Sequence, residues 1–141
     1  MKWRKVYMRK FTSLLLALAC VLGLIGCNNQ SAQNGNLLKD GNVTSIAVTS
    51  LPEGYDYLFS GDGAKAIITY LSNLNLDENF KENPNEYGGM TWVISLEYDS
   101  GDVLTVYHFG NMFIRTESGP WYKMTYEEAS QFDSLLNELK N

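Results

Sequence analysis

The chain has 141 residues, enough for one small domain beside a leader, and carries 16 acids, 11 Lys and Arg, and one histidine. All 16 acids follow residue 27, but only six of the cations do, so the later part of the chain has a net charge of −10. A chain this acidic lacks the basic surface that neutralises phosphates, and nucleic acid is therefore excluded as an expected partner.

The N-terminal segment has the parts of an export signal in their usual order. Five Lys and Arg lie within residues 1–10, and residues 14–25 form an uncharged apolar run of 12 residues. A membrane-spanning helix needs roughly 20 apolar residues, so the run favours a signal peptide over a retained anchor. Either Met1 or Met8 could be the start, because both leave positive charge before the run.

The apolar run ends in Leu24, Ile25, Gly26 and Cys27, which resembles the lipobox of bacterial lipoproteins. The resemblance implies cleavage between Gly26 and Cys27, loss of residues 1–26 and attachment of a diacylglycerol to the Cys27 thiol. It also implies a protein held by this lipid at the outer face of the cell membrane, similar to small surface lipoproteins of Gram-positive bacteria. No cysteine follows Cys27, which rules out disulfides within the domain and any thiolate metal site there.

Residues 27–42 are predicted to be the lipidated cysteine and a flexible polar tether, with a root-mean-square span of about 20 Å. Leu37 and Leu38 lie in this segment and are assigned no element. Residues 43–141 then predict a single small domain.

The first half of the domain predicts a strand and a helix. Alternating residues over 43–50 indicate a half-buried strand, and residues 55–59 suit either an extended connector or a short helical turn. A helix is expected over residues 63–75, with Asp62 as its N-cap and apolar residues spaced three and four apart. The polar segment that follows, up to residue 89, predicts a long loop with a helical turn near residues 78–81.

The second half predicts a meander of four strands and a closing helix. The strands are expected at residues 91–98, 103–109, 112–116 and 121–124. A left-handed Gly101 in the first turn would place Leu96 beside Leu104 and Ile94 beside Val106. This register is preferred to that of a two-residue loop because it separates apolar from polar residues.

Thr125 followed by Glu128 predicts a capping box at the start of the last helix. Its buried stripe is expected to consist of Ala129, Phe132, Leu135, Leu136 and Leu139. The predicted fold is therefore α+β, with the order β-α-β-β-β-β-α. An antiparallel sheet of four to five strands would carry both helices on one face.

The sequence offers few candidates for catalytic or metal-binding residues. His108 is the only histidine, which leaves no material for a catalytic triad or a multi-histidine metal site. The acids between residues 77 and 86 are interpreted as a solvated loop. A loose calcium site is the alternative, but their spacing fits no known calcium loop. No catalytic residue, metal or cofactor is assigned.

Aromatic residues offer the one indication of binding. Glu97, Thr105 and Tyr107 are expected on the sheet face opposite the helices, which is either an ordinary sheet surface or a surface for a partner. The favoured hypothesis is a lipid-anchored binding or accessory module that contacts an envelope protein or a ligand. The alternatives are a carboxylate-dependent hydrolase and an extracytoplasmic sensing domain.

Overall fold

A computed structural model describes residues 36–141, so Gly26, Cys27 and the predicted signal lie outside the described residues. The described residues form one six-stranded sheet, ordered β2-β1-β3-β4-β5-β6, in which all neighbouring strands are antiparallel. The elements in chain order are β1 (Val43–Leu51), β2 (Asp56–Phe59), α1 (Gly61–Ser72), β3 (Thr91–Tyr98), β4 (Val103–Phe109), β5 (Phe113–Thr116), β6 (Tyr122–Lys123) and α2 (Tyr126–Leu139). The predicted α+β class is confirmed, with one strand more than expected.

The additional strand is β2, which occupies the segment predicted as an extended connector or a helical turn. Its backbone pairs with β1, placing Tyr57 opposite Val48 and Phe59 opposite Ile46. Phe59 is buried beneath the helices, whereas Leu58 points the other way and is 75% exposed. Four residues are too few for their alternation to distinguish a strand from a turn in the sequence.

Both helices pack on one face of the sheet, called here the helix-covered face. Burial alternates along β3 and β4, as a sheet covered on one face requires. The opposite surface is called the helix-free face. The fully buried apolar side chains between the helices and the helix-covered face are Ile46, Val48, Ile67, Ile94, Leu96, Val106, Ile114, Ala129, Phe132 and Leu136.

The hairpin between β3 and β4 has the predicted register. Leu96 lies opposite Leu104 and Ile94 opposite Val106. The turn is closed by a hydrogen bond from the Tyr98 N–H to the Asp102 carbonyl at 2.9 Å, and Gly101 has a φ of +87°. A left-handed glycine in a three-residue loop thus sets which residues of β4 meet the helices.

The predicted bounds of α1 and its predicted cap are wrong. The helix begins two residues earlier than expected, at Gly61, and Ser60 occupies the N-cap position without a side-chain hydrogen bond. Asp62 lies in the first turn instead. Gly61 has a φ of +53°, which other residues rarely adopt, so the chain can turn directly from β2 into the helix.

The capping box predicted for α2 is present and also explains where α1 ends. The Thr125 hydroxyl accepts a hydrogen bond from the Glu128 N–H, and Glu128 Oε2 accepts one from the Thr125 N–H at 2.9 Å. Glu128 Oε1 also accepts hydrogen bonds from the Asn75 N–H at 2.8 Å and from its side-chain amide at 3.1 Å. These bonds fix Asn75 outside α1, which ends at Ser72, three residues short of the predicted end.

The hydrogen bonds to Glu128 also determine its charge state. Partial burial alone would raise the pKa of this carboxyl, but the bonds donated by Asn75 and Thr125 outweigh that effect and lower it. Glu128 therefore stays ionised at neutral pH and holds the end of α1 to the start of α2.

The last residues of the predicted tether pack against the domain. Leu37 is only 4% exposed and belongs to the apolar core, and the Lys39 N–H donates to the Tyr98 hydroxyl at 3.2 Å. The Asp99 N–H donates to the Asn42 carbonyl at 2.9 Å. Residues 36–42 are therefore part of the folded domain, and they join the sheet at the β3–β4 turn.

Replacing Glu128 with Ala should destabilise the domain more than replacing Thr125 with Ala. Loss of the Thr125 cap alone should lower the free energy of unfolding by about 1 kcal/mol. Loss of Glu128 should lower it by about 2–3 kcal/mol, because hydrogen bonds to a charged group are lost at two places. Urea unfolding at pH 7 measures both values.

Glu127→Ala is the matched control, since Glu127 lies in the same first turn and its side chain makes no hydrogen bond within the described residues. Equal destabilisation by Glu127→Ala and Glu128→Ala would contradict the role given to Glu128.

Candidate functional site

The segment that joins α1 to β3, residues 73–90, crosses the edge of the sheet and is called here the crossing loop. Asp77 and Lys123 of β6 exchange backbone hydrogen bonds of 2.8 and 3.0 Å, and the Lys123 ammonium pairs with Glu82. The helical turn predicted near residues 78–81 is therefore wrong, because the backbone at Asp77 is extended against β6. The helical turn in this loop is instead a 3₁₀ turn at Pro84–Glu86.

The crossing loop covers Phe113 on the helix-free face. Ile114 points to the helix-covered face, so its neighbour Phe113 must point to the other. Phe113 is nevertheless 0% exposed, because the rings of Phe80 and Tyr87 from the loop lie 5.5 and 5.2 Å from its own. Trp121 lies 6.4 Å away on the remaining side. These four rings form an aromatic cluster, called here the second core, in which Phe113 is fully buried and Tyr87 stays 41% exposed.

A groove of about 410 Å³ lies beside this second core. The crossing loop forms one wall of the groove, and the ends of β1, β3 and β4 form its floor. Its lining combines aromatic and aliphatic side chains with polar groups and contains no acidic residue: Leu51, Pro84, Asn85, Tyr87, Thr91, Tyr107, Phe109, Arg115 and Trp121. A concave site that combines aromatic side chains with a few polar groups is a candidate ligand site.

Arg115 is the only cation that lines this groove. Its guanidinium carbon lies 4.7 Å from the centre of the Trp121 ring and 5.4 Å from that of the Tyr107 ring. Its Nε is buried and has no hydrogen-bond partner, and none of the described acids forms an ion pair with it. The guanidinium is thus held by two aromatic rings and not by a carboxylate.

The structure places the three predicted surface residues on the helix-free face but does not bring them together. Tyr107 lines the groove, and Thr105 is half-buried next to it along β4. Glu97 is exposed and accepts a hydrogen bond from the Ser45 hydroxyl at 3.0 Å. Its register partner is Val103, four residues from Tyr107, so Glu97 lies about 13 Å from the groove.

Acidic residues of the crossing loop bind groups within the loop or on β6. Asp77 accepts a hydrogen bond from the Asn79 N–H at 2.8 Å, and Glu86 accepts one from the Asn83 amide at 3.3 Å. The hydrogen bond from Lys123 lowers the pKa of Glu82, and the same bond raises the pKa of Lys123. Within residues 36–141, no three metal-ligating side chains come together.

His108 is buried on the helix-covered face. It is 1% exposed, stacks on Phe132 at 5.1 Å, and its Nε2 lies 3.1 Å from the Tyr70 hydroxyl. Burial lowers the pKa of His108 to about 4, against a smaller opposing effect of the Asp133 charge. The histidine is therefore neutral at physiological pH and joins β4 to both helices, away from the groove.

Sequence reasoning did not single out Arg115 as a functional residue. The available signal was the alternation of β5: if Ile114 faces the helices, then Phe113 and Arg115 share the opposite face. A large aromatic residue on that face requires a cover, and Phe80 and Tyr87 are the two aromatic residues of the crossing loop. What the sequence does not show is that this loop turns back over the sheet.

The buried histidine predicts a loss of stability in mild acid. Its unfolded pKa is near 6.5 and its folded pKa near 4, so between these values the unfolded chain binds more protons. The stabilisation that comes from keeping His108 neutral is therefore complete above pH 6.5 and decreases as the pH falls towards 4. The expected loss from this group is about 2–3 kcal/mol at pH 4.5, measured by urea unfolding.

His108→Gln removes the titration and is the appropriate comparison. Its stability should change less than that of the parent chain between pH 7 and pH 4.5. Parallel stability curves for the two proteins would show that His108 is not the group responsible.

The described residues contain no helix that is both long and apolar enough to span a membrane. Comparisons with known proteins add no relative from which a role could be transferred. No protein-family model, no curated protein and no solved structure matches the chain.

Proposed function

We propose that this chain is a lipid-anchored, extracytoplasmic binding module whose groove on the helix-free face receives a ligand or a segment of an envelope partner. The observation that carries the proposal is the groove itself, where Arg115 lies between Tyr107 and Trp121 without an acidic partner among the described residues. Aromatic residues and arginine are the side chains most enriched at binding surfaces.

The position of the groove within the sheet supports this function. Residues 36–42 join the sheet beside Tyr98, at one end of β3, whereas Thr91 at the other end of β3 lines the groove. Seven residue steps separate these ends, which corresponds to about 23 Å. The groove therefore lies at the end of the sheet opposite the point where residues 36–42 join it.

The same anchor limits where a partner can be met. Eight residues, 28–35, separate Cys27 from the first described residue, and a chain of that length spans at most about 30 Å. The ligand or partner must therefore lie close to the outer surface of the membrane. Because the groove has no acidic lining residue, it offers no pair of carboxylates for glycoside hydrolysis.

If Cys27 carries the lipid, a variant without this thiol should not be labelled by fatty acid. Cys27→Ser should abolish incorporation of labelled palmitate into the protein in growing cells, because the thiol that receives the diacylglycerol is removed. Cys20→Ser is the matched control and should retain the label. Persistent labelling of Cys27→Ser would show that the anchor is elsewhere.

The binding face predicts where contacts form on intact cells. A photo-crosslinking amino acid at Tyr107 should give a defined adduct, because this side chain lines the groove. The same amino acid at Tyr126, which is 71% exposed on α2, should give none. Equal adducts at both positions, or an adduct at Tyr126 alone, would contradict the proposal that the helix-free face is the binding face.

A further inference from the structure

We propose that the groove binds a carboxylate carried on an apolar, ring-bearing body, with the Arg115 guanidinium holding the carboxylate. This inference rests on the proposed function, since it names the class of ligand for the same groove. The ligand could be a small free acid or the C-terminal carboxylate of a polypeptide, because the two present the same group.

Charge complementarity supports a carboxylate ligand. Arg115 is half-buried, and its guanidinium has neither an ion pair nor a hydrogen bond within residues 36–141, although a cation shielded from water is normally paired. The domain has ample acids to supply a partner, but none lines this groove. A bound anion would supply the complementary charge.

The geometry of the guanidinium also suits a carboxylate. Tyr107 and Trp121 lie within cation–π distance of Arg115, at 5.4 and 4.7 Å. Stacking occupies the faces of a guanidinium, whereas its N–H donors lie in its plane and suit a bidentate carboxylate. The two rings hold the arginine in place without using the donors that a carboxylate needs.

The rest of the groove lining limits the charge and the shape of the ligand. A single cation balances one negative charge, which favours a monoanionic carboxylate over a phosphate dianion. The remaining wall is formed by Tyr87, Phe109, Leu51 and Pro84, and can cover an apolar body. Asn85 and Thr91 supply the other polar groups of the lining.

The test uses the full-length chain in detergent and two probes that differ only in charge. N-acetylphenylalanine carries the carboxylate, and N-acetylphenylalanine amide does not. Binding is followed by NMR through the indole N–H signal of Trp121, which is identified by its absence in Trp121→Phe. The acid should shift this signal in a saturable manner, and the amide should bind at least about tenfold more weakly.

A second experiment replaces Arg115 and measures binding of the same two probes. Arg115→Gln should weaken binding of the acid at least about tenfold and leave the weak binding of the amide unchanged. Lys65→Gln is the matched control, because it removes an exposed cation on α1, and it should bind both probes like the parent chain. The comparison of the two probes on the parent chain does not depend on the folding of any variant.

A peptide ending in phenylalanine separates the two sources of the carboxylate. Binding at least tenfold tighter than that of N-acetylphenylalanine, and lost on amidation, would identify a polypeptide C-terminus; equal affinities would identify a small acid. Equal binding of the acid and the amide, or no binding of either, would overturn the inference. If the Tyr107 crosslink on cells still formed in that case, the proposed function would stand and only the class of ligand would be wrong.

Discussion

The burial of Phe113 on the helix-free face is the constraint on which the groove depends. A phenylalanine at this position would lie in water if the sheet were covered by helices alone, and burying such a side chain stabilises a domain by roughly 2–3 kcal/mol. The crossing loop provides the cover through Phe80 and Tyr87. The wall of the groove is therefore a consequence of packing and is not a free surface loop.

The first part of the crossing loop is held by polar contacts as well. Glu128 binds Asn75 where the chain leaves α1, and Lys123 binds Asp77 through the backbone and Glu82 through its side chain. Glu128 also completes the capping box of α2, so the same carboxylate fixes the helices and the start of the loop. A site supported in this way needs little rearrangement when a ligand binds, which favours affinity.

The sequence was most informative where local chemistry decides the structure. Period-two alternation and a left-handed Gly101 were sufficient for the β3–β4 register, and Thr125 with Glu128 was sufficient for the start of α2. The sequence was less informative for β2, because this strand is short and forms through its pairing with β1. The end of α1 was mispredicted because Asn75 binds Glu128, a residue 53 positions later in the chain.

The groove itself could be predicted only in part. The alternation of the strands places Tyr107 on the helix-free face, as the sequence predicts. Arg115 becomes a candidate only when Trp121 and the crossing loop are seen beside it, and both arrive there through long-range contacts. The predicted lipobox is the opposite case, because that prediction depends only on four adjacent residues, which lie outside the described part of the chain.

The most direct test of this account is an NMR measurement of nuclear Overhauser contacts between aromatic rings. The account predicts contacts from the ring protons of Phe113 to those of Phe80 and Tyr87, because the crossing loop lies on the helix-free face. If Phe113 showed contacts to Trp121 alone, the loop would not cover the sheet. The groove wall, and the site that depends on it, would then not exist.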